Sequence, residues 1–146
     1  MKKILLTTLV SLFFMRCGTD QGSSKTYVYT VKNTSGYNLK IYAYLNEIVS
    51  PTITLINNGE ELTKKYEDFN PPSGYDFSRF FDPLRTAMGR DSIMIIYNNE
   101  KKQNFKSKCD TDRNPLNFCE YSGLRETFIF TNEDYENAED CGGPCE

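Results

Sequence analysis

Tyr37-Asn38-Leu39-Lys40-Ile41-Tyr42-Ala43-Tyr44-Leu45 alternates without interruption. In an extended chain successive side chains point to opposite faces, so Tyr37, Leu39, Ile41, Ala43 and Leu45 share one face. Asn38, Lys40, Tyr42 and Tyr44 share the other. Nine residues of period two make this the clearest strand signal in the chain. The same period organises its neighbours. Residues 26–32 put Tyr27, Tyr29 and Val31 together, and Asn33-Thr34-Ser35-Gly36 has turn chemistry, so these two strands are expected to form a hairpin. Residues 52–57 and 60–67 flank Asn58-Gly59, a pair suited to the positive φ angles of a type I′ turn, and a second hairpin is expected there.

Further along, residues 91–98 carry Ile93, Ile95 and Tyr97 against Met94 and Ile96. Apolar on both faces, this strand is expected to be central. Asn98-Asn99-Glu100 turns the chain into a strand over 101–107, and residues 125–131 form a last strand through Phe128, Ile129 and Phe130. About seven short strands joined by tight turns predict an all-β domain, a small antiparallel β-sandwich with a small barrel as the alternative. Two short helices are expected to interrupt it. Asp82-Pro83 supplies an N-cap and a first-position proline, with Gly89 as the stop. Thr131-Asn132-Glu133-Asp134 reads as a capping box opening a helix over 133–139.

The composition narrows the chemistry. A chain of 146 residues holds one domain. It has no histidine, which removes Ser-His-Asp triads, Cys-His pairs and histidine-ligated metals. A formal charge of −3 argues against nucleic acid, whose phosphates require a basic patch. No cofactor and no metal site is expected.

The N-terminus carries the chain's most specific motif. Lys2 and Lys3 precede a twelve-residue apolar run, residues 4–15, that is too short to span a bilayer, since a spanning helix needs roughly 20 apolar residues. It ends at Phe14-Met15-Arg16-Cys17, and this stretch resembles the signal of bacterial lipoproteins. Arg16 stands where that family has a small residue and Phe14 where it has leucine. The resemblance implies that residues 1–16 are a removable signal peptide and that Cys17 is acylated. Residues 17–25 then form a flexible Gly/Ser-rich tether and residues 26–146 a single domain. Gly18 occupies the position of an aspartate retention signal, and the tether lacks a dense acidic run. By the same resemblance the anchor sits in the outer membrane facing the periplasm, with the cell surface as the alternative. Signal, tether and β domain together resemble small lipoproteins of Bacteroidota envelopes, which implies an address and no particular activity.

Losing Lys2, Lys3 and Arg16 would leave 14 basic residues against 20 acidic ones, a formal −6. Six of those acids fall at or after Glu133, with no Lys or Arg among them, so the excess is a C-terminal property. Cys109, Cys119, Cys141 and Cys145 form an even set once Cys17 is reserved for lipid, and two disulfides are expected in an oxidising compartment. Three pairings are open. Cys109–Cys119 with Cys141–Cys145 closes the shortest loops, and the rival straps a C-terminal cysteine back to the 109–119 loop. A four-thiolate zinc site is disfavoured because its knuckles have closer spacing.

Residues 71–89 form the most informative connection. They concentrate Tyr75, Phe77, Phe80 and Phe81 beside Arg79, a candidate binding loop. Exposed, such rings stack on sugars or anchor protein partners; folded inward, they close an open end of the sandwich, the commoner fate. Asp110-Thr111-Asp112-Arg113-Asn114 has the opening of a calcium loop without its glycine or its closing glutamate, and a solvated turn is the simpler reading. The leading functional expectation is a non-catalytic, membrane-anchored envelope lipoprotein that contacts a protein or glycan through loops at one end of the sheet. A small carboxylate-dependent hydrolase and a purely structural or inhibitory factor are the alternatives.

Overall fold

The computed structural model describes residues 23–44, 50–69, 72–81, 92–109 and 112–145. The signal, Cys17 and the first part of the tether lie outside these residues, as does the helix expected over 82–89. The elements are β1 (Lys25–Thr34), β2 (Leu39–Tyr44), β3 (Thr52–Ile56), β4 (Glu61–Asp68), a 3₁₀ turn (Phe77–Phe81), β5 (Ser92–Tyr97), β6 (Lys101–Lys106), β7 (Arg125–Thr131), α1 (Asn132–Glu136) and β8 (Glu139–Asp140). They build an all-β sandwich of two sheets, one ordered β4-β1-β7 and the other β3-β2-β5-β6-β8.

The alternating faces close the core. Tyr27, Tyr29 and Val31 of β1 are buried in one cluster with Leu39, Ile41 and Ala43 of β2. Ile93, Ile95 and Tyr97 of β5 and Phe128 and Phe130 of β7 complete it. As expected from its two apolar faces, β5 is interior, paired with β2 on one side and β6 on the other. Asn98 and Asn99 both adopt positive φ, 48° and 63°, and turn β5 tightly into β6.

Both expected N-terminal hairpins are absent. β1 pairs with β4 and β7, whereas β2 pairs with β3 and β5, so residues 33–38 carry the chain from one sheet to the other. Residues 57–60 make a second crossing, from β3 to β4. The Asn58-Gly59 turn exists, with Glu60 N–H donating to the Asn57 carbonyl at 3.0 Å, but only Gly59 has positive φ, +80°. A type I′ reversal needs positive φ at both central residues. The sheets are also not wholly antiparallel, because β1 and β7 run parallel.

A buried carboxamide explains the first crossing. Asn33 is fully buried at the end of β1. Its Nδ2 donates to the carbonyls of Tyr37 at 2.7 Å and Ile56 at 3.1 Å. Its Oδ1 accepts from Ser35 N–H at 3.1 Å and Ser35 Oγ at 2.7 Å. All four hydrogen-bonding positions of the amide are filled. Its backbone joins the second crossing, with Asn33 N–H donating to Glu60 O and Gly59 N–H to Asn33 O. One side chain thus ties β1, the start of β2 and the end of β3 together.

At the other end of the chain, the Asp134 carboxylate accepts the Thr131 backbone N–H at 2.7 Å and opens α1 as the capping box requires. The helix is shorter than expected, ending at Asn137, because Glu139 and Asp140 leave it to pair with Lys102 and Lys101 as β8. An eighth strand results.

Two substitutions separate paired from unpaired buried polarity. Asn33→Ala removes the donors to two carbonyls and should lower the unfolding free energy in urea by about 2–4 kcal/mol. The Tyr29 hydroxyl is buried with no hydrogen-bond partner among the described residues. Tyr29→Phe should therefore leave stability unchanged or raise it by up to about 1 kcal/mol.

Candidate functional site

The candidate loop over 72–81 is drawn onto the sandwich by polar groups of β4. The Asp68 carboxylate accepts Gly74 N–H at 2.7 Å and Ser73 Oγ at 3.1 Å. Burial alone would raise the Asp68 pKa, but these hydrogen bonds and the Arg79 charge hold it below the usual carboxylate value. Tyr66 Oη donates to the Arg79 carbonyl at 2.7 Å, and Lys64 Nζ donates to that of Phe80 at 2.7 Å. The 3₁₀ turn so anchored drives Phe77, Phe80 and Phe81 inward, each no more than 1% exposed. Phe77 packs edge-on against Tyr29 at 5.4 Å between centroids, and Phe80 lies parallel to Phe77 at 5.8 Å. These three rings are core and present no face to a ligand.

Arg79 is also buried, its guanidinium stacked 4.2 Å from the Tyr75 ring. Of the five candidates only Tyr75 reaches the surface. It and Arg79 line a pocket of about 430 Å³ with Thr26, Lys65, Glu67 and Phe69. Phe69, 72% exposed, did not stand out in the sequence because it follows a strand of mixed charge.

Both loop-closing disulfides are present, Cys109–Cys119 and Cys141–Cys145. All four thiols are consumed, which removes the zinc alternative. Inside the first loop Asn114 is buried, donating to the Lys106 carbonyl at 2.8 Å and accepting Leu116 N–H at 2.9 Å. Asn114 is thus a turn former; Asp112 pairs with Lys108 at 3.0 Å, and Asp110 lies outside the described residues. The second disulfide is seated on the β5–β6 turn. Cys141 N–H donates to Glu100 O at 3.0 Å, and Cys145 N–H to Asn99 Oδ1 at 3.2 Å.

The acidic C-terminal stretch is partly structural. Asp134 receives Arg113 Nε and Nη2, each at 2.9 Å, and Arg113 also donates to the Ile129 carbonyl while covering the Phe128 ring at 4.6 Å. Burial would raise the Asp134 pKa, but Arg113 and Thr131 override it and hold the carboxyl below its ordinary value. Tyr135 stacks on Tyr37 at 3.6 Å, closing α1 onto the corner that begins β2.

A second depression, about 550 Å³, lies on the outer face of the five-stranded sheet. Lys40, Leu55 and Ile96 are cross-strand neighbours on its floor, Asn38, Asn57, Asn98 and Asn99 surround them, and Pro144 of the disulfide loop forms a wall. Three of the carboxamides use their oxygens internally. Asn38 Oδ1 accepts Asn58 N–H at 3.0 Å, Asn98 Oδ1 accepts Asn38 N–H at 3.1 Å, and Asn99 Oδ1 accepts Cys145 N–H. What these side chains retain is their NH₂ groups, which donate. With the Lys40 ammonium, the cleft is rich in donors beside an aliphatic floor. In the sequence each asparagine reads as a local turn former; the signal that could have found the cleft is their recurrence at strand ends.

The chain matches no family model, no curated protein and no solved structure.

Truncation separates core from surface in the aromatic loop. Phe80→Ala should cost about 3–5 kcal/mol in urea unfolding, whereas Tyr75→Ala should cost about 1 kcal/mol or less. Equal losses would contradict the burial described. A pH titration tests the capping carboxylate. Because the Asp134 pKa is lowered by folding, its contribution is complete above the unfolded value of 3.8 and is lost as pH falls through the folded one. Asp134→Asn should lower stability at neutral pH by about 1–3 kcal/mol and flatten the loss of stability below about pH 4.

Proposed function

We propose that the protein is a membrane-tethered, non-catalytic lipoprotein of the bacterial envelope, anchored through an acylated Cys17 and contacting a protein or glycan partner. Its address in this reading is the outer membrane, on the periplasmic side. The lipobox-like Phe14-Met15-Arg16-Cys17 and the polar segment after it support the anchor. Two disulfides are consistent with an oxidising compartment.

The polarity of β1 is the observation that carries the binding part of the proposal. The tether enters at Lys25, paired with Asp68, and the asparagine-lined cleft adjoins the opposite end of the strand. Ten residues of strand separate the ends by about 30 Å. An anchored domain would therefore hold the cleft away from the bilayer. Donor NH₂ groups and a lysine beside Leu55 and Ile96 suit a partner rich in acceptors with an apolar face, as sugar rings and peptide carbonyls are. A hydrolytic reading is less well supported. A general acid needs a raised carboxyl pKa, whereas Asp68 and Asp134, both buried, are lowered and committed to backbone and arginine partners.

Cells expressing the full chain and fed an alkyne-bearing palmitate analogue test the anchor. The protein should be labelled and recovered with membranes, and Cys17→Ser should lose the label and retain the signal. An unlabelled wild-type protein, or labelling that survives Cys17→Ser, would refute it.

A further inference from the structure

Four strands end the two sheets, and β3 differs from the other three. β4 carries Glu61, Lys64, Lys65, Glu67 and Asp68, β7 carries Arg125 and Glu126, and β8 is Glu139-Asp140. Charges on edge strands discourage another chain from adding to the sheet. β3 is Thr52-Ile53-Thr54-Leu55-Ile56, with no charge, no proline and no glycine. Its outward side chains are the large apolar Ile53, 51% exposed, and Leu55, 65% exposed. Among the described residues β2 is its only strand partner, so its other edge carries a row of backbone donors and acceptors.

We propose that β3 is a self-association edge, pairing antiparallel with β3 of a second copy about a two-fold axis at Thr54. Three observations favour a second copy. The pattern is self-complementary, since rotation about Thr54 sets Ile53 opposite the partner copy's Leu55 and Thr52 opposite its Ile56. An apolar pair then lies on each side of the axis on the outer face, where exposed residues would gain burial. Charge is the third. The chain is acidic, at −3 overall, so copies repel over most orientations, yet residues 50–59 contain no ionisable side chain. At this seam like-charged molecules approach without opposed charges. The product is one continuous ten-stranded sheet, closed by symmetry, that leaves no uncharged edge among the described strands.

The register gives a specific test in the full-length protein in membranes. Thr54→Cys places two thiols across the axis within disulfide reach, because directly opposed residues have Cα atoms about 4.5–5.5 Å apart. Leu55→Cys does not, because its counterpart faces Ile53. Non-reducing gels should show a covalent dimer for Thr54→Cys and little for Leu55→Cys or for Thr63→Cys on the charged β4 edge. Adding Ile53→Lys and Leu55→Lys to Thr54→Cys should lower the cross-linked fraction by about tenfold, since like charges then face one another. As a cysteine-independent check, Ile53→Lys with Leu55→Lys in the otherwise native chain should convert a dimer to a monomer in detergent sedimentation, with its circular dichroism unchanged. A monomeric wild type, equal cross-linking by all three cysteines, or capture of Thr54→Cys on a different polypeptide would overturn the proposal.

Discussion

The sandwich depends on a single buried amide. Two chain crossings pass between the sheets at one end of β1, and Asn33 satisfies both: its side chain bonds the carbonyls of Tyr37 and Ile56, while its backbone bonds Gly59 and Glu60. A crossing exposes backbone groups that neither sheet can pair, and inside a core an unpaired group costs about 1–3 kcal/mol. Asn can supply two donors and an acceptor that takes two bonds in so small a volume. Aspartate lacks the donors and leucine lacks all of them. The amide therefore permits the topology as well as stabilising it.

The rest of the packing follows from where the sandwich is open. With β1 and β2 facing one another across the core, β4 stands at an edge, and the 3₁₀ turn fills the space beneath it with Phe77, Phe80 and Phe81. Lys64, Tyr66 and Asp68, alternate residues of β4, hold that segment by hydrogen bonds to its backbone or to the residues just before it. The inward face of an edge strand is thus used to seat a plug. At the other flank Arg113, Asp134 and the stacked Tyr37–Tyr135 pair close α1 onto the sheet. The two disulfides lie outside this core: neither pair joins the two sheets, and each restrains a loop that carries little buried area.

Surface chemistry is distributed unevenly as a result. Charges line three of the four sheet edges, while β3 and the adjoining cleft hold aliphatic side chains and asparagine amides. The asparagines there do two things at once: their oxygens secure the turns, and their NH₂ groups remain for whatever enters the cleft. On the reading proposed above, the same end lies farthest from the lipid anchor.

Strands were legible in the sequence because alternation is a local property. A side chain's face is set by its two neighbours, so Leu39, Ile41 and Ala43 announce a buried face whichever strand lies beside them. The central position of β5 and the cap at Thr131 were legible for the same reason, and the cysteine pairing was favoured by loop length. Sheet membership was not. Asn33-Thr34-Ser35-Gly36 has the composition of a hairpin turn, and only the burial of Asn33 against Ile56, 23 positions away, makes it a crossing. Tyr75 to Phe81 could equally have been a binding surface. Contacts with Lys64, Tyr66 and Tyr29 decided that the phenylalanines belong to the core. The asparagines of the cleft are local turn formers in sequence and neighbours only in space. Periodicity determines which face of each strand is apolar, but two apolar faces can meet within one sheet or across two. Long-range hydrogen bonds, which no local pattern encodes, made that choice.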